Sequence, residues 1–599
     1  MATQFAPTLS LPTSGGGAAG TAKAGTNFNL DLEAVAGGQG GQSRHDHRLA
    51  ARIVKLLRKG NRYSERHDYQ NALLCHFEAW QLDFENTDAI KCLAHTLGQL
   101  GERAKAIHLF EILLRRRPDD PEIAGFLGQI AIELEMWEQA AALNRIFIRM
   151  KPDYDLGYNN LATALRHMER FDEAITLLKD TLPMFPESAA LWSVLGVAVA
   201  FRDGLDAALP FYEEALRLNP QLWQTLNNLG RAYYNIGEYD KVIHYCERAV
   251  QAKTKAKELH QPHIGLAMGY LASGRLKEGW HEYEWRQHPA RNSAIRWTHG
   301  LPRWEGQDLS GKSVLICPEQ GVGDEILFAS CFPDILAEAD RVYIGAEKRL
   351  VPLFERSFPA ARHIGTFRDI SNNAFRYRDL PWVRELDDKI DYFIEAASLN
   401  KYYRGSFDDF PADGGGHLVA DPARVAFWRE RLAQRGRNLK VGICWRSGIR
   451  SAERNFWYTD LADWQSIFET PGCDFVNLQY GDCGDELAFI KQNFGVECAD
   501  WDDIDLKNDL DDTAALTKAC DLVVTIGAAP GMMAMAVDKP ILWMFPFPVW
   551  WAFGQAPKTP LHPRSHLYWS ENMGEWKPVT EAVATRLRAI ADDREQLNA

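Results

Sequence analysis

The sequence predicts a helical solenoid followed by two doubly wound, Rossmann-like α/β lobes. Three observations support this fold class. Small residues, alanines and prolines recur every 34 positions through the first half of the 599-residue chain. Short apolar runs alternate with helical stretches through the second half, and glycine-containing turns follow several of these runs. A chain of this length exceeds what one hydrophobic core supports, so several domains are expected.

Composition places the chain among folded globular proteins. It is 46% hydrophobic and 25% charged, with a formal net charge of −14, and it lacks the basic balance of a duplex nucleic-acid binder. Its ten cysteines show no CxxC pair and no metal-ligand spacing. Because no run of 18 apolar residues and no secretory signal pattern is present, we expect a cytoplasmic protein without a membrane span.

The first segment, residues 1–45, is rich in Gly, Ala, Ser and Thr. Its few large apolar residues cannot offset the entropy lost on ordering, so we interpret it as a disordered tail, either inert or partner-binding. The domains predicted after it are a repeat array over residues 46–290, a first α/β lobe over residues 291–420 and a second lobe over residues 421–599.

The repeat array is indicated by three kinds of residue that keep the same period. The leucine and small-residue pairs are Leu93-Ala94, Leu127-Gly128, Leu161-Ala162, Leu195-Gly196 and Leu229-Gly230. The alanines are Ala72, Ala106, Ala140, Ala174 and Ala208, and the prolines are Pro118, Pro152, Pro186 and Pro220. A small residue in the first helix lets a second helix approach closely, and the proline ends that second helix.

This pattern resembles the tetratricopeptide repeat, with six units from about residue 53 to about residue 256. A seventh unit, around Leu266-Ala267, is shifted by about four residues, which indicates an insertion near Lys253–His260 and a capping role. Such an array predicts binding of a peptide or protein on its concave face, with a spacer or a dimerisation arm as the alternative.

The second half contains two series of predicted buried strands. The first comprises Ser313–Cys317, Arg341–Gly345 and Ile390–Ile394, with amphipathic helices over Asp324–Ala339 and Lys348–Ser357. The second comprises Lys440–Trp445, Asp474–Gln479, Asp521–Ile526 and Pro540–Phe545. Ligands of doubly wound sheets bind beyond the carboxyl ends of the strands, so the residues after each strand are the candidate site.

The turn after the first predicted strand contains Gly321 and Gly323 and runs into Asp324 and Glu325. Glycines there allow a tight turn and close approach of a ligand, and the start of a helix favours an anion or a bound hydroxyl. The two acidic residues also suit a helix N-terminus electrostatically, which is the structural alternative.

Two further turns belong to the second lobe. Arg446, Ser447 and Gly448 follow its first strand and offer a guanidinium group, a hydroxyl group and a free backbone to a phosphate, although Arg446 suits a structural ion pair as well. The residues Gly527, Ala528 and Gly531 lie in a later strand-to-helix turn. Its amides suit a phosphate, and its small side chains equally suit close packing of helix on sheet.

With these residues in hand, the second half resembles a GT-B glycosyltransferase. The segment EQGVGDEILFAS, which begins at Glu319, is similar to the EQGxGD box of bacterial glycosyltransferases fused to tetratricopeptide repeats, and the GW–EYEWR residues from Gly279 to Arg286 match the same family. In the related heptosyltransferases an aspartate after the first glycine turn is the general base, which implies Asp324 for this chain, with Glu325 as the alternative.

The second lobe departs from the heptosyltransferases. Where they carry an Asp-Thr pair and a later His at the nucleotide phosphates, this chain has Gly527, Ala528 and Met532. The segments TIGAAPGMMA and WRSG, with the run Asn477–Asp482, look most like the flagellin glycosyltransferases of alphaproteobacteria. That resemblance implies that the repeats recruit flagellin in the cytoplasm and that a nonulosonic acid such as pseudaminic acid is transferred to Ser or Thr from a CMP-linked donor.

The resemblance implies an inverting reaction that needs no metal and no tightly bound cofactor, with the nucleotide-sugar donor as substrate. The acidic run Asp509, Asp511 and Asp512 is interpreted as a helix start or a solvated loop rather than as a metal signature. Two alternatives stay open. One is an ADP- or UDP-sugar transferase acting on a glycan or another protein, and the other is a non-enzymatic repeat scaffold or flagellin chaperone.

Overall fold

The computed structural model describes residues 44–598 apart from 67, 101, 118–119, 134, 253–258, 290, 292, 371–375, 412–413, 415, 449–456 and 573. Residues 1–43 of the predicted tail, Pro118 and residues 253–258 of the insertion predicted near Lys253–His260 therefore lie outside the described residues. Packing divides the described residues into two compact units, one up to Pro220 and the other comprising Gln221–Ala252, His260–Ile370 and the residues from Arg376 onwards. The predicted domain boundaries stay predictions.

The first unit is built of antiparallel helix pairs, as the 34-residue period predicts. Its helices are α1 Arg44–Glu65, α2 Tyr69–Leu82, α3 Thr87–Gln99, α4 Arg103–Arg116, α5 Pro121–Glu133, α6 Trp137–Met150, α7 Asp155–His167, α8 Phe171–Thr181, α9 Ala189–Asp203 and α10 Leu205–Leu218. The five predicted alanines of the second helices are fully buried. The helical solenoid is confirmed.

Close contact within each pair follows one rule. A Cβ added to Gly128 would lie 2.7 Å from Asn144 Nδ2, and a Cβ added to Gly196 would lie 2.8 Å from Tyr212 Cδ1. In both cases the contacted side chain comes 16 residues later, on the facing helix. Absence of a side chain at the small position therefore makes room for a side chain of the second helix, which is the physical basis of the repeat.

The second unit begins with the last repeats, which are α11 Trp223–Asn235, α12 Tyr239–Gln251, α13 His260–Ala272 and α14 Leu276–Tyr283. The pair α13 and α14 is the predicted seventh repeat. These helices group with the α/β part of the chain rather than with the earlier repeats. Among the helices that the structure describes, none is long and apolar enough to cross a membrane.

The first α/β lobe contains a four-stranded sheet in which every neighbouring pair is parallel. Its strands are β2 Ser313–Cys317, β3 Arg341–Ala346, β4 His363–Thr366 and β7 Tyr392–Glu395, in the order β4-β3-β2-β7. A smaller sheet has the order β1-β6-β5 and consists of β1 Ile295–Trp297, β5 Arg368–Asp369 and β6 Arg376–Asp379. The helices are α15 Val322–Phe328, α16 Phe332–Glu338, α17 Val351–Ser357 and α18 Asn400–Tyr403.

The second lobe contains a five-stranded parallel sheet in the order β12-β11-β10-β8-β9. Its strands are β8 Leu439–Cys444, β9 Cys473–Asn477, β10 Leu522–Ile526, β11 Ile541–Met544 and β12 Ser565–Tyr568. The helices are α19 Pro422–Ala433, α20 Gln465–Phe468, α21 Gly484–Phe494, α22 Leu510–Ala519, α23 Ala529–Ala536 and α24 Trp576–Asp592. Parallel sheets with helices are thus confirmed for this half of the chain.

The acidic run that precedes α22 has structural partners. Asp509 caps the helix by accepting a hydrogen bond from the Asp512 amide at 2.9 Å. Asp512 forms an ion pair with Arg424, and Asp511 forms one with Arg356 of the first lobe. The run is therefore a helix start, as the sequence predicts. Its Asp511 also forms an ion pair between the two lobes.

Candidate functional site

The predicted turns lie where the strand order of each sheet reverses. In the first lobe the chain passes from β2 to β3 and β4 on one side, whereas β7 lies on the other side of β2. In the second lobe β9 lies on one side of β8, and β10, β11 and β12 lie on the other. Ligands of doubly wound sheets bind in the crevice at such a reversal. The turn after β2 therefore lies at the first reversal, and the turns after β8 and β10 flank the second.

The glycine turn of the first lobe faces the small-residue turn of the second. Gly321 precedes the first residue of α15. A Cβ added to Gly323 would lie 3.7 Å from Ala529 Cα and 3.7 Å from Met532 Cγ, which belong to the first turns of α23. These are van der Waals distances, so the starts of α15 and α23 adjoin each other. Residues from both reversal points therefore border one region.

Asp324 and Glu325 share one helical turn but have different surroundings. Asp324 is exposed, whereas only 3% of Glu325 is exposed. Glu325 Oε2 accepts a hydrogen bond from the Glu347 amide at 2.9 Å, and burial raises the pKa of Glu325 to about 8. A buried carboxyl group that is mostly protonated at neutral pH is poorly suited to take a proton from a substrate. Of the two predicted bases, Asp324 is the accessible one.

Glu325→Gln is expected to raise the melting temperature at about pH 8 and to change it little near pH 5. Unfolded glutamate releases its proton near pH 4.5, whereas folded Glu325 holds it up to about pH 8. The folded state thus binds more protons between these values and loses stability as the pH rises through them. Glutamine stays neutral and still accepts from Glu347, so the gain at alkaline pH is on the order of a few kcal/mol. A difference in melting temperature between Glu325→Gln and the wild type that stays the same from pH 5 to pH 8 would contradict this assignment.

A buried ion-pair network supports the first turn. Arg286 Nη2 donates to Glu319 Oε1 at 2.9 Å and to Ser398 Oγ at 2.8 Å, and Arg286 Nη1 donates to Glu284 Oε1 at 2.9 Å. Burial alone would raise the pKa of Glu284, but Arg286 and Arg303 hold it at about 2. The EYEWR residues therefore anchor the glutamate that begins the EQGVGD turn.

Arg446 is engaged by a carboxylate of its own lobe. Its Nε lies 2.5 Å from Glu486 Oε1, its Nη2 donates to Glu486 Oε2, and Nη2 also donates to the Asp482 carbonyl at 2.7 Å. A bidentate pair of this kind uses most of the guanidinium fork. The structure thus shows the ion pair that the sequence left open as the alternative, and contact of Arg446 with a phosphate stays a prediction.

Ser447 and Gly448 lie beside the run Asn477–Asp482. Ser447 Oγ is 3.0 Å from the Tyr480 hydroxyl, and a Cβ added to Gly448 would lie 2.7 Å from Tyr480 Cε2. Gly448 is therefore required for the approach of the tyrosine ring. The arrangement places two hydroxyl groups at the carboxyl end of β8.

In the turn after β10, some of the predicted amide donors are already used. The Ala528 amide donates to the Ile526 carbonyl at 2.7 Å, and the Gly531 amide donates to the Ala528 carbonyl at 3.0 Å. Pro530 has no N–H group. The amides of this turn that can serve a phosphate are therefore those of Gly527 and Ala529.

Gly531 has a packing role. A Cβ at this position would lie 2.7 Å from Trp543 Cε2, and the Trp543 ring is fully buried. Gly531 therefore lets α23 pack closely on β11, which is the packing alternative raised for this turn. Gly527 lies near aromatic rings, because a Cβ there would lie 3.1 Å from Phe545 Cε1 and 3.4 Å from Trp457 Cε3.

An aromatic segment, Phe545–Gly554, joins this turn to the last repeats and was not singled out from the sequence. The ring centroids of Trp280 and Trp550 are 5.7 Å apart, and those of Tyr283 and Trp550 are 5.9 Å apart. The centroids of Tyr234 and Phe547 are 6.2 Å apart. The concentration of aromatic residues after the last predicted strand was the available signal. The last repeats thus pack on the loop that borders Gly527.

Three arginines beside the first turn were also missed. Arg378 Nη1 donates to the Glu319 carbonyl at 2.6 Å, and Arg378 Nη2 donates to the Gln320 carbonyl at 3.2 Å. Arg376 lies on the same strand, and Arg291 Nη1 donates to the Arg286 carbonyl at 3.2 Å. Strands as short as β1 and β6 leave no periodic pattern, so the sequence did not place these residues at the site.

Known proteins are similar to this chain in its repeat array and over most of its length. Residues 93–155 and 159–222 match one tetratricopeptide-repeat family model, and residues 211–244 match another. Protein FlbA of Caulobacter vibrioides is 37% identical over 502 residues, which cover 83% of this chain and 84% of FlbA. The chain belongs to the FlbA family. Because 502 residues are more than the repeat array contains, the match to FlbA extends into the α/β half.

Two solved structures of repeat proteins are similar to parts of this FlbA-family chain. A structure of MamA is 21% identical, covers 28% of this chain and 98% of MamA, and has a TM-score of 0.26. YrrB, described as a tetratricopeptide-repeat protein with an unusual peptide-binding site, is 18% identical, covers 29% of this chain and 90% of YrrB, and has a TM-score of 0.27.

Proposed function

We propose that this FlbA-family chain is a GT-B protein O-glycosyltransferase that recruits flagellin through its repeats in the cytoplasm. It transfers a nonulosonic acid of the pseudaminic type from a CMP-linked donor to Ser or Thr. The observation that carries the proposal is the adjacency of two turns: the one with the accessible Asp324 and the one with the Gly527 and Ala529 amides. Each turn lies at the reversal point of a parallel sheet.

The reaction divides between the two turns. A Ser or Thr hydroxyl of the acceptor attacks the anomeric carbon of the donor while Asp324 takes its proton. The bond between the anomeric carbon and the phosphate oxygen breaks, and its electrons leave with CMP. The amides of Gly527, which precedes α23, and of Ala529, its first residue, stabilise the charge that develops on the departing phosphate. Attack opposite the leaving group inverts the anomeric centre.

The repeats supply the acceptor. Tetratricopeptide arrays hold extended protein segments in their concave face, and in this chain the last repeats pack on the aromatic segment Phe545–Gly554 beside Gly527. An acceptor bound along α11–α14 would thus be held by the same compact unit that carries the candidate site. This continuity favours an enzyme over an independent scaffold.

The test is the intact mass of flagellin co-expressed with this chain, with and without the enzymes that make a CMP-linked nonulosonic acid. We expect the mass to increase by whole nonulosonic-acid residues only when both are present. An increase that requires an ADP- or UDP-sugar pathway instead would identify the alternative transferase. Co-purification of flagellin without any mass change would identify a scaffold or chaperone and would overturn the proposal.

A further inference from the structure

Three arginines of the first lobe lie close to one another beside the segment that leads into the glycine turn. Arg378 is 6% exposed and binds the carbonyls of Glu319 and Gln320. Arg376 is exposed two residues earlier on β6, opposite Ile295 of β1. Arg291, four residues before Ile295, is half-buried. The β1 and β6 pairing therefore places Arg291 and Arg376 at the start of the small sheet. Arg378 lies two residues farther along β6, at the segment that leads to Asp324.

These arginines differ from their neighbours in charge balance. Arg303 pairs with Glu284, Glu305 and Glu395, and Arg286 is paired in the same network. Within the part of the chain that the structure describes, no carboxylate forms an ion pair with Arg291, Arg376 or Arg378. One small region thus contains guanidinium groups that form ion pairs and guanidinium groups that form none.

The charged forms of Arg291 and Arg378 are disfavoured by their surroundings. Burial lowers the pKa of Arg291 and of Arg378, and the charge of Arg376 lowers both further. The carboxyl groups that oppose Arg378 are chiefly Glu325, which is mostly protonated at neutral pH, and Asp369. Positive charges that lie close together without an ion-pair partner favour the binding of an anion.

We infer that Arg291 and Arg376 bind the carboxylate of the transferred sugar, while Arg378 is a positioning residue that fixes the Glu319 and Gln320 carbonyls. This inference rests on the proposed function and names the group of the donor that the first lobe recognises. Guanidinium groups match a carboxylate in shape as well as in charge, since each offers parallel N–H donors.

The location favours a sugar carboxylate over a nucleotide phosphate. The departing phosphate is assigned to Gly527 and Ala529 of the second lobe, whereas the arginines lie on the first lobe, on the Asp324 side. The transferred sugar has to lie between these two sets of residues, because Asp324 activates the hydroxyl that attacks it. An acidic group on that sugar is therefore the anion within reach of Arg291 and Arg376.

The experiment uses the full chain and two probes that differ only at the carboxyl group, which is ionised in one and a neutral methyl ester in the other. Binding of N-acetylneuraminate and of its methyl ester is titrated by calorimetry or ligand-observed NMR, for the wild type, the double variant Arg291→Gln/Arg376→Gln and the control Arg368→Gln. Arg368 is an exposed arginine on neighbouring β5. We expect the wild type and the control to prefer the acid by about tenfold or more and the double variant to lose this preference.

The outcomes separate this inference from the proposed function. A wild type that binds acid and ester equally, or binds neither, overturns the carboxylate site, as does a double variant that keeps the preference with an unchanged melting temperature. If the preference for the acid is present and lost in the double variant but flagellin gains no mass, the carboxylate site stands and the transferase assignment fails. If the double variant has a lowered melting temperature, the single variant Arg376→Gln is tested in its place. A single variant that keeps the preference for the acid overturns the carboxylate site.

Discussion

Asp324→Ala is expected to abolish the mass increase of flagellin while flagellin still co-purifies with the chain. Asp324 is the exposed carboxylate at the turn that faces α23. Alanine has no side-chain oxygen that could accept the proton in its place. Loss of a general base lowers a rate by about 100-fold to 10,000-fold. The side chain is exposed, so its removal should leave the melting temperature within about a degree of the wild type.

The matched control is Glu355→Ala, which removes an exposed carboxylate from α17 in the same lobe. Both variants are compared by initial rate of flagellin modification and by retention of flagellin on the immobilised chain. A normal rate in Asp324→Ala would remove the base assignment. Equal loss of rate in Glu355→Ala would show that the effect reflects surface charge rather than proton transfer.

The fold was predictable because the 34-residue repeat and the apolar runs of the buried strands are clear in the sequence. The 34-residue period located six helix pairs, and the apolar run Ser313–Cys317 was found with its bounds unchanged. Several strands of four residues or fewer, such as β5 and β12, were not predicted, because so few residues show no clear pattern unless they form an apolar run. The grouping of α11–α14 with the α/β lobes depends on contacts far apart in sequence, such as Trp280 with Trp550, and no local pattern encodes these.

The candidate site was only partly predictable, for a related reason. Glycine turns after strands mark where a ligand can approach, and both turns indeed lie at reversal points. What each side chain does there is set by partners elsewhere in the chain. The sequence left Arg446 between a phosphate and an ion pair, and the contact with Glu486, 40 residues away, shows the ion pair. It left Glu325 as an alternative to Asp324 as the base, and the burial of Glu325 distinguishes the two.

Of the variants considered, Arg286→Met is expected to lower the free energy of unfolding the most, by about 3–5 kcal/mol, because it removes one member of a buried ion-pair network. Arg286 is 6% exposed and binds Glu319, Glu284 and Ser398. Arg303 would still compensate Glu284, but Glu319 would be left as a buried carboxylate without its cation. Methionine fills a similar volume, so the loss reflects charge rather than a cavity.

The control for this variant is Arg275→Met, which breaks an exposed pair with Glu278 in which both side chains are about half exposed. Exposed pairs contribute about 0–1 kcal/mol, so the transition should barely move. Thermal and urea unfolding followed by tryptophan fluorescence report on the second unit, where most of the tryptophans lie. Because Glu319 begins the turn that carries Asp324, the Arg286→Met variant should also modify flagellin more slowly than the wild type at temperatures at which the variant is still folded. Equal stability of the two variants would contradict the stabilising role assigned to the buried ion-pair network around Arg286.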